Sequence, residues 1–89
     1  MELTLLSRTY CHLCDEMQAA LAPLAQRHGA KIVVVDVDDH PALEAAHGER
    51  VPVLFLGSPA KGVELCHYHL DARRVGAALA EAARASKTC

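Results

Sequence analysis

The chain has 89 residues, enough for one domain with a single core of modest size but too few for a second. Apolar residues make up 52% of it and aromatic residues only 3%, so the core must be built from Leu, Val and Ala. The formal charge of −2 comes with no long run of either sign, which argues against nucleic-acid binding, and no apolar run approaches the roughly 18 residues of a membrane span.

The first predicted elements are a strand and a helix with a Cys-x-x-Cys step between them. Residues 2–7 are apolar on both sides and suit a strand that is covered on both faces. Apolar residues at steps of three and four indicate a helix, which Gly29 ends: Leu13, Met17, Leu21 and Leu24. Pro23 should kink this helix because it removes one backbone hydrogen bond.

The second strand is predicted over residues 31–37, where Ile32 precedes an unbroken run of valines. A run without alternation is typical of a strand that is buried on both faces and parallel to its neighbour, so these elements make a β-α-β unit. Asp38 to Pro41 then provide a cap and a proline for a short helix over residues 42–47, which Gly48 ends.

A hairpin is predicted next. Residues 51–56 are strand-like with a proline near the start, and a turn over residues 57–62 leads to an antiparallel strand from Val63 to Cys66.

The closing helix should begin after Asp71, whose side chain is a good N-cap, with Leu70 and Val75 packed together across its start. We expect this helix to reach about Arg84 and residues 85–89 to fray, so that residues 1–89 form one domain.

The two close cysteines carry the predicted chemistry. Cys11 falls at a helix N-terminus and Cys14 one turn further in, so their sulfurs lie within disulfide reach and form a reversible two-electron couple. Unpaired backbone N–H groups and the helix dipole favour a thiolate at Cys11, the candidate nucleophile. The uneven spacing of the four cysteines, with Cys66 and Cys89 far from the close pair, is unlike a secreted disulfide framework. In a reducing compartment the close pair is then catalytic or metal-binding. We expect a soluble, cytoplasmic protein, and a monomer.

The order β-α-β-α-β-β-α, with Cys-x-x-Cys after the first strand and Val51-Pro52 opening the third, resembles the thioredoxin fold and, more narrowly, the glutaredoxins. The resemblance runs from Leu3 to about Arg84 and is closest to short bacterial glutaredoxin-like proteins whose substrates are unassigned. It implies an α/β domain with a four-stranded mixed sheet flanked by helices, and thiol-disulfide oxidoreductase activity.

The same resemblance implies roles for particular residues. Cys11 would attack the substrate disulfide and Cys14 would resolve the mixed disulfide that forms. Pro52 would follow a cis peptide bond, so that Val51 offers its backbone N–H and C=O to a bound disulfide substrate. Arg8, three residues before Cys11, would meet a carboxylate of glutathione.

Tyr10 and His12, on either side of Cys11, complete the predicted substrate-binding residues, and a protonated His12 would place a cation beside the thiolate. The chain departs from the glutaredoxin pattern at His12, where Pro is usual, at Arg50, where Thr is common, and at residues 66–69, which replace a Gly-Gly turn with acidic side chains. The acidic groups that would hold the glutathione ammonium are thus missing at residues 66–69. We therefore expect no cofactor, and glutathione as at most a weak co-substrate. The expected partner is a protein disulfide or a low-molecular-weight thiol.

Two other classes remain open on the residues alone. A small zinc- or copper-binding module could use the soft and imidazole ligands Cys11, Cys14, Cys66, His67 and His69. A scaffold that kept the fold and lost the chemistry is the other alternative, and it is disfavoured by the presence of both close thiols.

Overall fold

The computed structural model describes residues 1–87, which form a four-stranded mixed sheet with helices on both faces. The strands are β1 (Glu2–Ser7), β2 (Lys31–Asp36), β3 (Val53–Leu56) and β4 (Val63–His67), and the helices are α1 (His12–His28), α2 (Pro41–His47) and α3 (Ala72–Lys87). Single 3-10 turns at Val37–Asp39 and Gly48–Arg50 flank α2. The predicted α/β thioredoxin-like order is confirmed.

The strand order is β2-β1-β3-β4, so the first strand lies inside the sheet. β1 pairs parallel with β2 and antiparallel with β3, and β4 pairs antiparallel with β3. Leu5 lies beside Val34 on one side and Leu54 on the other. Leu5 and Leu6 point to opposite faces and both are fully buried, which confirms that β1 is covered on both sides.

One apolar cluster on each face of the sheet holds the helices in place. Helices α1 and α3 cover the larger cluster, and the turn after β2 together with α2 covers the smaller one. The larger cluster contains Leu3, Leu5, Met17, Leu21, Ala25, Leu54, Leu65, Val75 and Leu79. The smaller contains Leu6, Val37, Val53 and Phe55, with Leu43 packed against them.

The expected burial of the second strand on both faces is wrong. β2 is an edge strand of Lys31–Asp36, and the side chain of Val34 is 45% exposed. The buried valine of this region is Val37, which already belongs to the 3-10 turn that follows. An unbroken valine run shows no preferred face, so it cannot distinguish a central strand from a half-covered edge strand.

The ends of several elements differ from the prediction by a few residues. Helix α1 is continuous through Pro23 and ends at Gly29, which has the expected left-handed conformation. Strand β4 reaches His67, and α3 continues to Lys87, three residues beyond its expected end. The predicted fraying concerns residues 85–89: residues 85–87 belong to α3, and residues 88–89 lie outside the described residues.

The start of α3 is built as predicted. The Asp71 carboxylate accepts a hydrogen bond from the backbone N–H of Arg74 at 3.0 Å, and Leu70 packs against the cluster that contains Val75. None of the helices within residues 1–87 has both the length and the apolar character that a membrane crossing requires.

Candidate active site

The Cys-x-x-Cys step forms the first turn of α1. A turn at Thr9 and Tyr10 leads the chain out of β1, and Cys11 is the N-cap of the helix. The Sγ of Cys11 accepts a hydrogen bond from the backbone N–H of Cys14 at 3.1 Å, and its carbonyl accepts one from the N–H of Asp15 at 3.1 Å. The Cα atoms of the two cysteines are 5.2 Å apart and their sulfurs are joined in a disulfide.

The two cysteines differ in their access to solvent. Cys11 is partly exposed, whereas Cys14 is only 1% exposed beneath the first turn of the helix. Of the two residues, Cys11 is therefore the one that solvent reaches. The backbone N–H at Cys11 Sγ is also placed to stabilise a thiolate there once the disulfide is reduced.

Tyr10 and His12 project from this turn into solvent. Tyr10 is 99% exposed and has a φ of +62°, in the left-handed region that residues with a side chain rarely occupy. His12 is exposed as the first residue of α1. Their predicted contacts with a substrate remain predictions.

Arg8, which follows β1, is held by two carboxylates, one from the turn after β2 and one from α2. Its Nε lies 3.2 Å from Oδ1 of Asp38, and its Nη2 lies 2.9 Å from Oε1 of Glu44. The hydrogen bond to Glu44 is the main cause that raises the pKa of the guanidinium above its ordinary value. Two acidic partners already satisfy this cation, so a glutathione carboxylate would have to compete with them.

The segment from Glu49 to Pro52 contains Val51 and Pro52, two of the predicted substrate-binding residues, and we call it the second half of the candidate site. The Val51–Pro52 peptide bond is cis, as the resemblance implied. Just after β4, the backbone N–H of Tyr68 donates to the Pro52 carbonyl at 2.9 Å, and the Tyr68 hydroxyl donates to the Glu49 carbonyl at 3.0 Å.

An ion pair also fixes this second half to β4. The Arg50 guanidinium donates to both carboxylate oxygens of Glu64, at 2.9 and 3.0 Å, and its Nη2 lies 2.7 Å from Nδ1 of His47. The hydrogen bond from Arg50 is the main cause that lowers the pKa of Glu64. The sequence showed Arg50 only as a departure from the glutaredoxin pattern and gave no sign of its partner.

A cleft of about 270 Å³ runs between α1 and the loop after β4. Its lining residues are Leu13, Glu16, Met17, Ala20, Tyr68, His69 and Leu70. Leu13 lies between the two cysteines in the chain, so the cleft adjoins the first turn of α1. The sequence singled out residues 66–69 only as the replacement of a Gly-Gly turn and did not predict the contacts of Tyr68.

Cys66 takes no part in the disulfide. It is half-buried against the larger apolar cluster, and burial is the main cause that raises the pKa of its thiol. Cys89 lies outside the described residues. The Cys11–Cys14 pair thus lies at the start of a helix, whereas Cys66 lies on a strand.

The proposed ligands for a metal do not converge. Within residues 1–87, no group of three or more His, Cys, Asp or Glu side chains is arranged to hold an ion. Successive side chains on a strand point to opposite faces, which places Cys66 against the core and leaves His67 exposed. The metal-binding alternative thus has no support from this arrangement.

Residues 2–80 match the family described as "Glutaredoxin-like domain (DUF836)". The chain belongs to this family. A mycobacterial relative, an uncharacterized protein of Mycobacterium tuberculosis, is 31% identical over 84 residues, which cover 89% of this chain and 82% of that protein. The predicted recognition of a glutaredoxin-like protein is confirmed.

Solved structures extend the comparison to the fold. Protein XcR50 of X. campestris is 46% identical with a TM-score of 0.66, over 89% of this chain and 96% of that one. Protein Ne2328 of Nitrosomonas europaea is 38% identical with a TM-score of 0.74, over 86% and 88%. Thioredoxin 1 of Thermosipho africanus is only 18% identical but has a TM-score of 0.62, over 92% of this chain and 98% of that one, which shows the shared fold alone.

Proposed function

We propose that this glutaredoxin-like protein is a thiol-disulfide oxidoreductase that uses Cys11 as nucleophile and Cys14 as resolving thiol. The observation that carries the proposal is the disulfide at the N-terminus of α1, with one sulfur accessible and the other buried. A structural disulfide gains nothing from an exposed sulfur at a helix start, whereas a redox couple needs one thiolate that a substrate can reach.

The reaction begins from the reduced dithiol. The Cys11 thiolate attacks one sulfur of the substrate disulfide, the substrate S–S bond breaks, and the departing sulfur leaves as a thiolate that takes a proton from solvent. The Cys14 thiol then loses its proton and attacks Cys11 Sγ, which releases the second substrate thiol and forms the Cys11–Cys14 disulfide. The substrate gains two electrons. Two further thiol groups, of a protein dithiol or of two low-molecular-weight thiols, then reduce the Cys11–Cys14 disulfide back to the dithiol and are themselves joined in a disulfide.

The proposed substrate is a protein disulfide. An extended peptide would lie along the Glu49–Pro52 segment and form backbone hydrogen bonds with Val51, while the exposed Tyr10 and His12 would contact the residues around its cysteine. Glutathione would be a weak co-substrate at best. The support for this is the Arg8 guanidinium, which Asp38 and Glu44 already neutralise.

Trapping of the intermediate tests the mechanism. With a peptide disulfide as substrate, Cys14→Ser should accumulate a mixed disulfide at Cys11, because no thiol is left to resolve it. Cys11→Ser should give no such adduct at position 14, since that sulfur is buried. Peptide-resolved mass spectrometry identifies the linked residue, and Cys66→Ser serves as the control that should turn over like the wild type.

The reverse pattern, with an adduct on Cys14 in the Cys11→Ser variant, would contradict the assignment of roles. A second arm compares oxidised glutathione with the peptide disulfide in steady-state turnover by the wild type. We expect the peptide to have the higher kcat/KM, and a preference for glutathione would reject the proposed substrate while leaving the redox chemistry intact.

A further inference from the structure

Tyr68 has an unusual conformation for an aromatic residue. It follows the end of β4 with a φ of +63°, a conformation that glycine adopts freely and that costs a larger residue roughly 1–2 kcal/mol. Its ring packs edge-to-face on His67, with centroids 4.8 Å apart, and 41% of its surface is exposed. Tyr10 has the same conformation with its side chain in solvent, whereas Tyr68 makes contacts with another segment of the chain.

The interaction is with the segment that carries Val51. The Tyr68 hydroxyl binds the Glu49 carbonyl at 3.0 Å, and the Tyr68 N–H binds the Pro52 carbonyl at 2.9 Å. These two acceptors lie three residues apart and bracket the Val51 peptide on both sides. One residue thus fixes the segment at two points, and the ion pair of Arg50 with Glu64 ties its middle to the same strand.

Tyr68 also faces the other half of the site. Its side chain lines the cleft of about 270 Å³ to which Leu13, between the two cysteines, contributes from α1. A side chain that contacts both the cleft beside the disulfide and the Glu49–Pro52 segment can set the position of one half relative to the other.

We propose that Tyr68 is a positioning residue: its hydroxyl holds the Val51 peptide in place for the backbone of a disulfide substrate. The inference rests on the proposed function, since it concerns how the substrate of that reaction is bound. It predicts that loss of the hydroxyl weakens binding of an extended peptide without changing the reactivity of the Cys11 sulfur.

The test is Tyr68→Phe, which keeps the ring and the backbone N–H and removes only the hydrogen bond to Glu49. We expect the KM for a peptide disulfide to rise by about three- to tenfold, the factor that one net hydrogen bond supplies, with little change in kcat. The rate of Cys11 alkylation by iodoacetamide in the reduced protein, which requires no contact with Val51, should equal that of the wild type.

Thr4→Val is the matched control. The Thr4 hydroxyl also donates to a backbone carbonyl, that of Gly57 at 2.7 Å, but in the hairpin region outside the candidate site. Its loss should lower the free energy of unfolding without raising KM, whereas Tyr68→Phe should raise KM whether or not it changes stability. This difference separates positioning from a general structural contribution.

An unchanged KM in Tyr68→Phe, or equal KM changes in Tyr68→Phe and Thr4→Val, would overturn the role of Tyr68 and leave the proposed function standing. A change in the iodoacetamide rate would overturn it as well, because the hydroxyl would then act on the sulfur and not on the substrate-binding segment. A wild type that reduces no disulfide at all would reject the proposed function and this inference with it.

Discussion

Each half of the candidate site contains a tyrosine in the same left-handed conformation, and the two tyrosines have opposite surroundings. Tyr10, with a φ of +62°, is 99% exposed in the turn that leads from β1 into α1. Tyr68, with a φ of +63°, binds the carbonyl of Glu49, 19 residues earlier in the chain. The first half is shaped by residues adjacent in sequence, and the second by contacts between distant segments.

The largest expected difference is in reactivity, between Cys11 of the first half and Cys66 on β4, the strand that precedes Tyr68. Cys11 is partly exposed at a helix N-terminus with an N–H directed at its sulfur, whereas burial raises the pKa of Cys66. We expect Cys11 to react with iodoacetamide at least about tenfold faster than Cys66 in the reduced protein at neutral pH, because the thiolate is the reactive form. Mass spectrometry of the separated peptides gives both rates from one sample.

Unfolding in urea provides the control for this measurement, because it removes both environments and should bring the two rates together. Similar rates in the folded protein would show that the helix start gives Cys11 no advantage, and would weaken the proposed role of its thiolate.

The contrast between local and distant contacts also explains what the sequence could predict. The Cys11–Cys14 turn follows from a spacing of three residues at a helix start, and Asp71 caps α3 through an N–H only three residues away. Such interactions are encoded within one turn of the chain. The apolar run of β1 and the helical period of α1 are equally local patterns, and the structure confirms both elements.

The features that the sequence did not predict depend on contacts between distant segments of the fold. The resemblance implied that Arg8 meets a carboxylate of glutathione, and nothing in the sequence indicated its ion pairs with Asp38 and Glu44, which lie 30 and 36 residues away. No local pattern in the sequence pairs these charges. The same holds for the hydroxyl of Tyr68 and for the edge position of β2, because strand order depends on which segments meet and not on the composition of any one of them.

Loss of the ion pair of Arg50 with Glu64 should have a smaller effect, which is on stability and is confined to the second half. Both side chains are 34% exposed, so Arg50→Gln should lower the free energy of unfolding by only about 0.5–1 kcal/mol in urea titrations near neutral pH. Arg50 lowers the pKa of Glu64 below its ordinary value of 4.5, so this contribution is complete above that pH. It disappears as the pH falls through the lowered pKa, and the curves of variant and wild type should converge there.

A Glu64→Gln background is the matched control for the ion pair, since Arg50→Gln should then have little further effect. His67, with Nδ1 3.7 Å from the Glu64 carboxylate, and His47 also place positive charge near this group once protonated, and both remain in the two variants. A stability difference that persists unchanged into the acid range would show that Arg50 acts by packing and not by charge.

The smallest expected effect is on the free energy of unfolding when each of the two tyrosines is replaced by glycine. Glycine adopts the left-handed conformation freely, so substitution at either position removes a cost in the folded state. Because glycine also has more conformational freedom in the unfolded chain, the net gain in the free energy of unfolding is at most about 1 kcal/mol. Tyr10→Gly should realise this gain because an almost fully exposed side chain has little contact to lose. Tyr68→Gly should not, because the same change removes the hydrogen bond to Glu49, which contributes about 0.5–1.5 kcal/mol, and the contact with His67. Urea unfolding of both variants measures the difference, and equal shifts would mean that the tertiary contacts of Tyr68 do not stabilise the second half.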